Sequence, residues 1–186
     1  MAEQPGGNSP VAALYHLPAH LRFWAIALVG VVADLASKYW ACSRLGDPDQ
    51  NAVITVIPNL LLFHTSYNRG AVFGLGQDRV ALFVAASILA LLVVLYVFLS
   101  SLSRQWSLHL CLGAIMAGAL GNLYDRLQFG YVRDFIHLKI DLFGREWWPY
   151  VFNVADTLLC IGVGVLFIAL LRRDSEKDDP VQGTST

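Results

Sequence analysis

The chain has 186 residues, of which 56% are hydrophobic and 15% charged, and its mean hydropathy is +0.53. These values lie outside the usual range of water-soluble domains and within that of membrane proteins. The formal net charge of −1 at pH 7, with aromatic residues inside or beside apolar stretches, argues against the basic groove of a nucleic-acid-binding protein. We therefore expect one compact membrane domain and no nucleic acid as a partner.

Four apolar segments dominate the chain. About 20 mostly apolar residues span a bilayer, and segments of this kind occupy residues 23–42, 80–102, 108–124 and 152–171. They predict an all-α membrane protein with four transmembrane helices. Its single membrane-embedded domain covers residues 22–172, between an N-terminal tail (1–21) rich in Pro and Gly and a polar C-terminal tail (173–186).

The two longer connections between these segments carry strand patterns. The first, "NAVITVIPNLLLFHTSYNRGAVFG" (51–74), opens with β-branched residues and is broken at Pro58–Asn59, as a turn between strands would be. In the second, "YVRDFIHLKI" (131–140) alternates enough to form a strand, and Trp147, Trp148 and Tyr150 are typical of a membrane–water interface. We predict a small β-cradle resting on one face of the bilayer.

The distribution of basic residues favours termini in the cytoplasm. Arg172 and Arg173 follow the last segment, Arg22 precedes the first, and Arg104 lies in the short turn between the second and third. Cytoplasmic segments of membrane proteins carry an excess of Lys and Arg. The two longer connections also contain basic residues, but folded loops with functional charges obey this rule less closely.

The three cysteines do not form a recognisable site. Cys42, Cys111 and Cys160 are odd in number, widely spaced, and each lies within an apolar segment. This pattern predicts neither a disulfide framework nor a thiolate metal site. Buried apolar thiols are the expected state.

Polar residues inside the first and third segments are spaced to share helix faces. Asp34 and Lys38 lie four positions apart with the acid first, the better order for a helical ion pair. Asn122 and Arg126 have the same spacing, and Arg126 is a candidate for a fixed cation near the aspartates described below. Asp125 projects from another face, where we expect a helix-end or surface role.

Small residues recur every four positions on the third segment, at Gly113, Ala117 and Gly121. Ladders of this kind let two membrane helices approach closely. We therefore predict that this face is a packing surface.

Two aspartates stand at the edges of apolar segments, in "GYVRDFIHLKI" (130–140) and "FNVADTLLCIG" (152–162). Ionisable groups at membrane depth are costly, so Asp134 and Asp156 are candidate functional residues. Asn153 lies three positions before Asp156, on the same helix face and near the helix N-terminus. Two carboxylates that converge on one water share a proton: one is a general base and the other polarises a carbonyl. The spacing permits this convergence without requiring it.

Three alternatives remain open at this point. The first is a presenilin-like aspartyl protease, suggested by the pair Tyr124–Asp125, although "GVGV" occurs where GxGD is required. The second is a small transporter or scaffold that uses Asp34 and Lys38 as a proton relay. The third is a metal site, whose ligands would be Asp134, His137 and Asp141.

Several motifs together resemble those of bacterial lipoprotein signal peptidase, or signal peptidase II. They are "DLASK" (34–38), "NRGAVFG" (68–74), "GALGNLYDRLQFGYVRDFI" (118–136) and "FNVAD" (152–156), in the family order from the first span to the last. Leu35 stands where the family usually has Gln. The resemblance implies that Asp134 and Asp156 are catalytic. It also implies substrate-binding or supporting roles for Asn68, Gly70, Asn122, Arg126, Asn153, Ala155, Asp34 and Lys38.

The same resemblance implies an activity and a location. We expect an aspartyl endopeptidase that removes the signal peptide from diacylglyceryl-modified prolipoproteins and cleaves before the lipidated cysteine. No cofactor or metal is expected, and membrane lipid surrounds the protein. It would lie in the bacterial inner membrane, with both termini cytoplasmic and the active site near the outer face.

Overall fold

The structure is a computed structural model that describes residues 12–70, 79–142 and 145–178. Its helices are α1 (Leu17–Leu45), α2 (Val80–Ser100), α3 (Trp106–Phe129) and α4 (Val154–Asp178). Its strands are β1 (Ile54–Ile57), β2 (Leu61–Asn68), β3 (Val132–Leu138), β4 (Asp141–Leu142), β5 (Arg145–Glu146) and β6 (Val151–Phe152).

The predicted fold class, a helical membrane protein with a small sheet, is confirmed. Among the described residues, three helical stretches are long and apolar enough to cross a membrane: Leu17–Gln50, α2 and α3. The apolar part of α4, Val154–Ala169, is shorter. Large apolar side chains along α1, α2 and α4 are exposed, as expected for surfaces that face lipid instead of water.

The helices differ from the predicted spans at their ends. α1 begins at Leu17 and not at residue 23, and α3 extends to Phe129 and not to residue 124. Hydropathy detects only the hydrocarbon-facing part of a helix, and a helix can continue past it. At the last span the prediction began too early, because Phe152 belongs to β6 and α4 starts at Val154.

Parts of both predicted tails are structured. Ala13–Tyr15 form a 3-10 turn before α1, and α4 continues to Asp178. The remaining tail residues, 1–11 and 179–186, lie outside the described residues.

The third helix packs between α1 and α4 through its predicted small-residue ladder. At Gly113 a Cβ atom would lie 2.7 Å from the carbonyl oxygen of Phe23 in α1. At Gly121 it would overlap the carboxylate of Asp34 and lie 3.4 Å from the Cβ of Ala155 in α4. The ladder therefore brings three helices close to one point.

We predict that Gly121→Ala destabilises the fold, because the added methyl group displaces the Asp34 carboxylate from a packed centre. Overpacking of this kind costs roughly 1–3 kcal/mol. Gly164→Ala on α4 is the matched control, because no atom lies within 4 Å of the new methyl group. Thermal unfolding in detergent would measure both variants, and equal melting temperatures would contradict the prediction.

The main sheet has the strand order β1-β2-β3-β6, with all neighbours antiparallel. In its centre Ser66 pairs with Asp134 and Tyr67 pairs with Arg133. Because successive side chains on a strand point to opposite faces, Asp134 and Arg133 lie on different faces of the sheet. Gly130, with a φ of 79°, ends α3 in the left-handed conformation and turns the chain into β3.

The sheet lies at one end of the helices, and the N-terminal segment lies at the other. The N–H group of Ala13 donates to the carbonyl of Ser101, 2.8 Å away, in the turn between α2 and α3. Arg22 donates to the carbonyl of Ser103 in the same turn, at 2.8 Å. The start of α1 and the α2–α3 turn therefore share one face of the molecule.

Candidate active site

The site is built around the first turn of α4. Asn153 precedes this helix, and its Oδ1 atom accepts a hydrogen bond from the N–H group of Asp156 at 2.9 Å. In return, Asp156 Oδ2 accepts from the N–H group of Asn153 at 3.3 Å. This reciprocal arrangement is a capping box, which satisfies amide groups that a helix start leaves without partners. It also fixes the direction of the Asp156 carboxylate.

The second carboxylate reaches the same asparagine from the sheet. Asp134 is only 2% exposed, and its Oδ1 atom accepts a hydrogen bond of 2.6 Å from Asn153 Nδ2. Asn153 thus contacts both aspartates, one with its side-chain amide and the other through the capping box. The structure therefore brings together the two residues that the sequence separates.

Asn122 of α3 forms hydrogen bonds that orient the pair. Its Nδ2 atom donates to Asp156 Oδ1 at 2.7 Å. Its Oδ1 atom accepts from Lys38 Nζ at 3.0 Å and from Asn153 Nδ2 at 3.2 Å. Each polar atom of this amide has a partner that sets its orientation, so Asn122 holds one oxygen of Asp156 in place.

A buried group of charges lies beneath Asn122. The predicted ion pair is present: Lys38 Nζ lies 2.8 Å from Asp34 Oδ2, and neither side chain is exposed. Asp34 Oδ1 also accepts the N–H group of Ala155 at 2.9 Å, which ties α1 to the first turn of α4. Lys38 lies 3.3 Å from Asp125 as well. Buried charges are tolerated when paired and hydrogen-bonded, as these are.

The loop after β2 supplies the remaining predicted residues. Asn68 Oδ1 accepts the N–H group of Gly70 at 2.9 Å, and the Gly70 carbonyl accepts from Arg126 Nη2 at 3.1 Å. Arg126 also lies over the ring of Phe83, 5.5 Å from its centroid. These contacts fix a guanidinium beside the loop. The rest of the "NRGAVFG" motif, residues 71–74, lies outside the described residues.

Two cavities meet at Asp156. One, of about 260 Å³, lies between α2, α3 and the sheet, and its polar lining consists of Asn68, Ser87, Asn122, Arg126 and Asp156. The other, of about 300 Å³, is lined by apolar surface along α4 and near β6, including Phe152 and Leu159. A carboxylate at this junction is accessible to an amphipathic ligand.

The environment of Asp134 favours its protonated form. Burial, together with the negative charge of Asp156, raises the pKa of Asp134 to about 7. Hydrogen bonds from Asn153 and Asn68 and the positive charge of Lys38 oppose this rise. Near neutral pH a proton therefore resides readily on this carboxyl group.

The structure corrects one expectation from the sequence and does not support one of the open alternatives. Asp125 was expected at a helix end or on the surface, but it is fully buried and pairs with Arg133, whose Nη2 lies 2.7 Å from its Oδ1. The alternative metal site, with Asp134, His137 and Asp141 as ligands, is also not supported. An odd spacing along β3 places His137 and Asp134 on opposite faces, and the His137 ring lies 3.1 Å from His64. Among the described residues, no group of three or more His, Cys, Asp and Glu could hold a metal ion.

Sequence reasoning missed two residues that contact the site or its support, Arg133 and Phe83, and misassigned a third, Asp125. Asp125 and Arg133 lie eight positions apart, on either side of a turn, so no helical or strand period relates them. One signal was available in the sequence: Arg133 directly precedes Asp134 in a segment predicted to be a strand at the membrane, and a charged side chain there needs a partner of opposite charge.

The fold and the site define a multi-pass membrane protein with two neighbouring carboxylates at one end of its helices. A family model described as signal peptidase (SPase) II matches residues 26–172. The lipoprotein signal peptidase of Desulfitobacterium hafniense is 40% identical over 126 residues, which are 67% of this chain and 78% of that protein. The one from Staphylococcus aureus is 34% identical over 156 residues, 83% of this chain and 90% of that protein.

A solved structure described as a bacterial membrane enzyme shares the fold. Its TM-score is 0.76 at 29% identity, and the match covers 95% of this chain and 100% of that one. A second structure of the same description gives a TM-score of 0.68 at 30% identity, over 84% and 94% of the two chains. The chain belongs to the signal peptidase II family, which makes it a peptidase of the membrane. Membership of this family argues against both the presenilin-like protease and the transporter or scaffold.

Proposed function

We propose that the protein is an aspartic endopeptidase that removes the signal peptide from diacylglyceryl-modified prolipoproteins by cleaving before the lipidated cysteine. The observation that carries this proposal is that one residue, Asn153, donates hydrogen bonds to both carboxylates: its side-chain amide donates to Asp134 and its backbone N–H group donates to Asp156. Two carboxylates held this way can share one proton, and this state suits amide hydrolysis without a metal. The names of the relatives, lipoprotein signal peptidases, support the substrate class.

The hydrogen bonds favour one assignment of the general base and the general acid within the pair. Both oxygens of Asp156 accept hydrogen bonds, from Asn122 and from the backbone of Asn153, and such donors stabilise a carboxylate anion. Asp134, with its raised pKa, holds the proton. Asp156 is then the general base, and Asp134 is the general acid.

The reaction proceeds in two steps. Asp156 takes a proton from water, and the resulting hydroxide adds to the carbonyl carbon of the scissile bond while Asp134 gives its proton to the carbonyl oxygen. The tetrahedral intermediate then collapses, the C–N bond breaks, and the proton on Asp156 passes to the leaving nitrogen of the cysteine. Asp134 recovers a proton from the hydroxyl that re-forms the carbonyl, so the pair again holds one proton.

The basic residues near the start of α1 and in the α2–α3 turn support a location for the site. Arg22 and Arg104 lie at the end of the molecule opposite the sheet, and that end is the cytoplasmic one by the positive-inside rule. The sheet and the carboxylates then lie near the outer face of the inner membrane. A signal-peptide helix in the bilayer presents its C-terminal end at this level, and the diacylglyceryl group keeps the cysteine there.

The proposal is tested with purified protein in detergent and two synthetic substrates that differ only in the diacylglyceryl group on the cysteine. We expect cleavage of the lipidated substrate before the cysteine, little cleavage of the other, and no effect of EDTA. The Asp134→Asn variant, purified in the same way, measures the background activity of any contaminating peptidase. Activity abolished by EDTA and restored by zinc would contradict the mechanism, and equal cleavage of both substrates would contradict the substrate class.

The rate of cleavage should depend on pH through two ionisations of the pair. Since the active form carries one proton, the rate falls at high pH when Asp134 loses it, around its raised pKa of about 7. It falls again at low pH when the second carboxylate gains a proton. The measurement is kcat from about pH 4 to about pH 9, and a profile with only one limb would contradict proton sharing.

A further inference from the structure

Asp125 fixes the strand that carries Asp134. Its carboxylate is fully buried and accepts hydrogen bonds from the backbone N–H of Arg133 at 3.0 Å and from its guanidinium at 2.7 and 3.2 Å. Arg133 is the residue directly before Asp134 on β3. The contact therefore joins α3 to the strand one peptide unit away from a reacting carboxyl group.

The guanidinium of Arg133 is held on a second side as well. It lies over the ring of Phe129, 4.5 Å from the centroid, and its side chain is 13% exposed. A cation stacked on an aromatic ring and paired with a carboxylate has little freedom to move. Its charge is fixed next to Asp125.

This fixed charge affects Lys38 because Asp125 is also a partner of Lys38. The ammonium lies 2.8 Å from Asp34, 3.0 Å from Asn122 Oδ1 and 3.3 Å from Asp125. An Asp125 carboxylate without Arg133 would attract the ammonium more strongly, and the bond to Asn122 would lengthen. The arginine thus leaves Lys38 free to orient the amide that holds Asp156.

We propose that Arg133 is a positioning residue for the peptidase reaction, which acts by neutralising Asp125 so that Lys38 stays bonded to Asn122. The assignment rests on the proposed function. Arg133 affects both carboxylates. It fixes β3 next to Asp134, and through Lys38 it fixes the Asn122 amide that bonds to Asp156. It does not touch the substrate.

Replacing Arg133 by Gln is expected to lower kcat about tenfold, the rate equivalent of one hydrogen bond to a charged group. KM should stay within about twofold, because the cavity lining is unchanged. Since the positive charge of Lys38 lowers the proton affinity of the pair, its retreat should move both limbs of the rate–pH profile to higher pH. Arg133→Lys keeps the charge and should recover most of kcat and the wild-type limbs.

The experiment compares these two variants with Arg104→Gln, which removes an exposed arginine at the opposite end of the helices, and with Asp134→Asn as the inactive reference. The folded fraction of each sample is measured by thermal unfolding. A loss of rate in Arg133→Gln that equals its loss of folded protein, with unmoved pH limbs, would overturn the assignment. An unchanged kcat would do the same. If wild type cleaves no faster than Asp134→Asn, the proposed function fails, and the positioning role fails with it.

Discussion

An Asp134→Asn variant is expected to insert and fold like the wild type but to cleave the diacylated substrate at least about 10²-fold more slowly, the usual minimum for loss of a general acid. The amide oxygen of Asn can still accept the hydrogen bond from Asn153. What it lacks is a proton that can pass to the substrate carbonyl. Steady-state cleavage per folded molecule measures the effect.

The same variant should be more stable than the wild type at high pH. The pKa of Asp134 is about 7 in the folded protein against an ordinary value of 3.8, so the folded state binds the proton more tightly than the unfolded state. The free energy of unfolding therefore falls as the pH rises between these two values. Asn has no such ionisation, so its melting temperature should exceed that of wild type at about pH 8, and the difference should shrink at about pH 5.

Asp156→Asn should be equally inactive but less stable. Its side chain would keep the bond from Asn122 to one oxygen, yet it would place an NH₂ group against the N–H group of Asn153. The capping box would lose one of its two bonds, at a cost of about 1 kcal/mol. Near-wild-type turnover by either variant would contradict the assignment of the pair.

Lys38→Met is expected to destabilise the protein by roughly 3–5 kcal/mol, because removing one partner leaves a buried charge without compensation. Lys38 is fully buried and is the cation of Asp34. Its loss also removes a donor to Asn122, so little activity should remain. The midpoint of thermal unfolding and the cleavage rate of the folded fraction measure the two effects.

A double variant, Asp34→Asn with Lys38→Met, provides the control. It removes both charges of the pair, and both carboxylate oxygens of Asp125 keep their hydrogen bonds from the Arg133 guanidinium. We expect the double variant to be more stable than Lys38→Met alone, since residues in contact are energetically coupled. Additive losses of stability would show that the ion pair is not the source of the effect.

The sequence predicted the parts of the fold that have a simple period. Apolar length located the helices, and the β-branched run broken at Pro58–Asn59 located β1 and β2. The small-residue ladder was also predicted correctly, because Gly or Ala at every fourth position of a membrane helix indicates a surface for close helix packing. Helix ends were predicted less well: Asn153 stops β6 and starts α4 by hydrogen bonding, which hydropathy does not detect.

The composition of the candidate site came from motif resemblance, and its connections came only from the structure. No spacing indicates that Asn153 contacts both aspartates, because its side chain bonds to a strand 19 residues earlier. The sequence favoured a helix-end or surface role for Asp125 and missed its burial for the same reason: its partners are Arg133 across a turn and Lys38 on another helix. A one-dimensional pattern gives the face of a helix but not what is packed against it.

The hydrogen bond from Ala155 to Asp34 joins residues 121 positions apart, and this has a consequence for biosynthesis. α1 enters the bilayer long before α4 is synthesised. During that interval Asp34 and Lys38, four positions apart on one helix, can neutralise each other without help from the rest of the chain. Once α3 and α4 have been inserted, the same carboxylate can cap the last helix. This bond between α1 and α4 can therefore form only after residue 155 has been synthesised, and a nascent chain stopped before that residue would lack it.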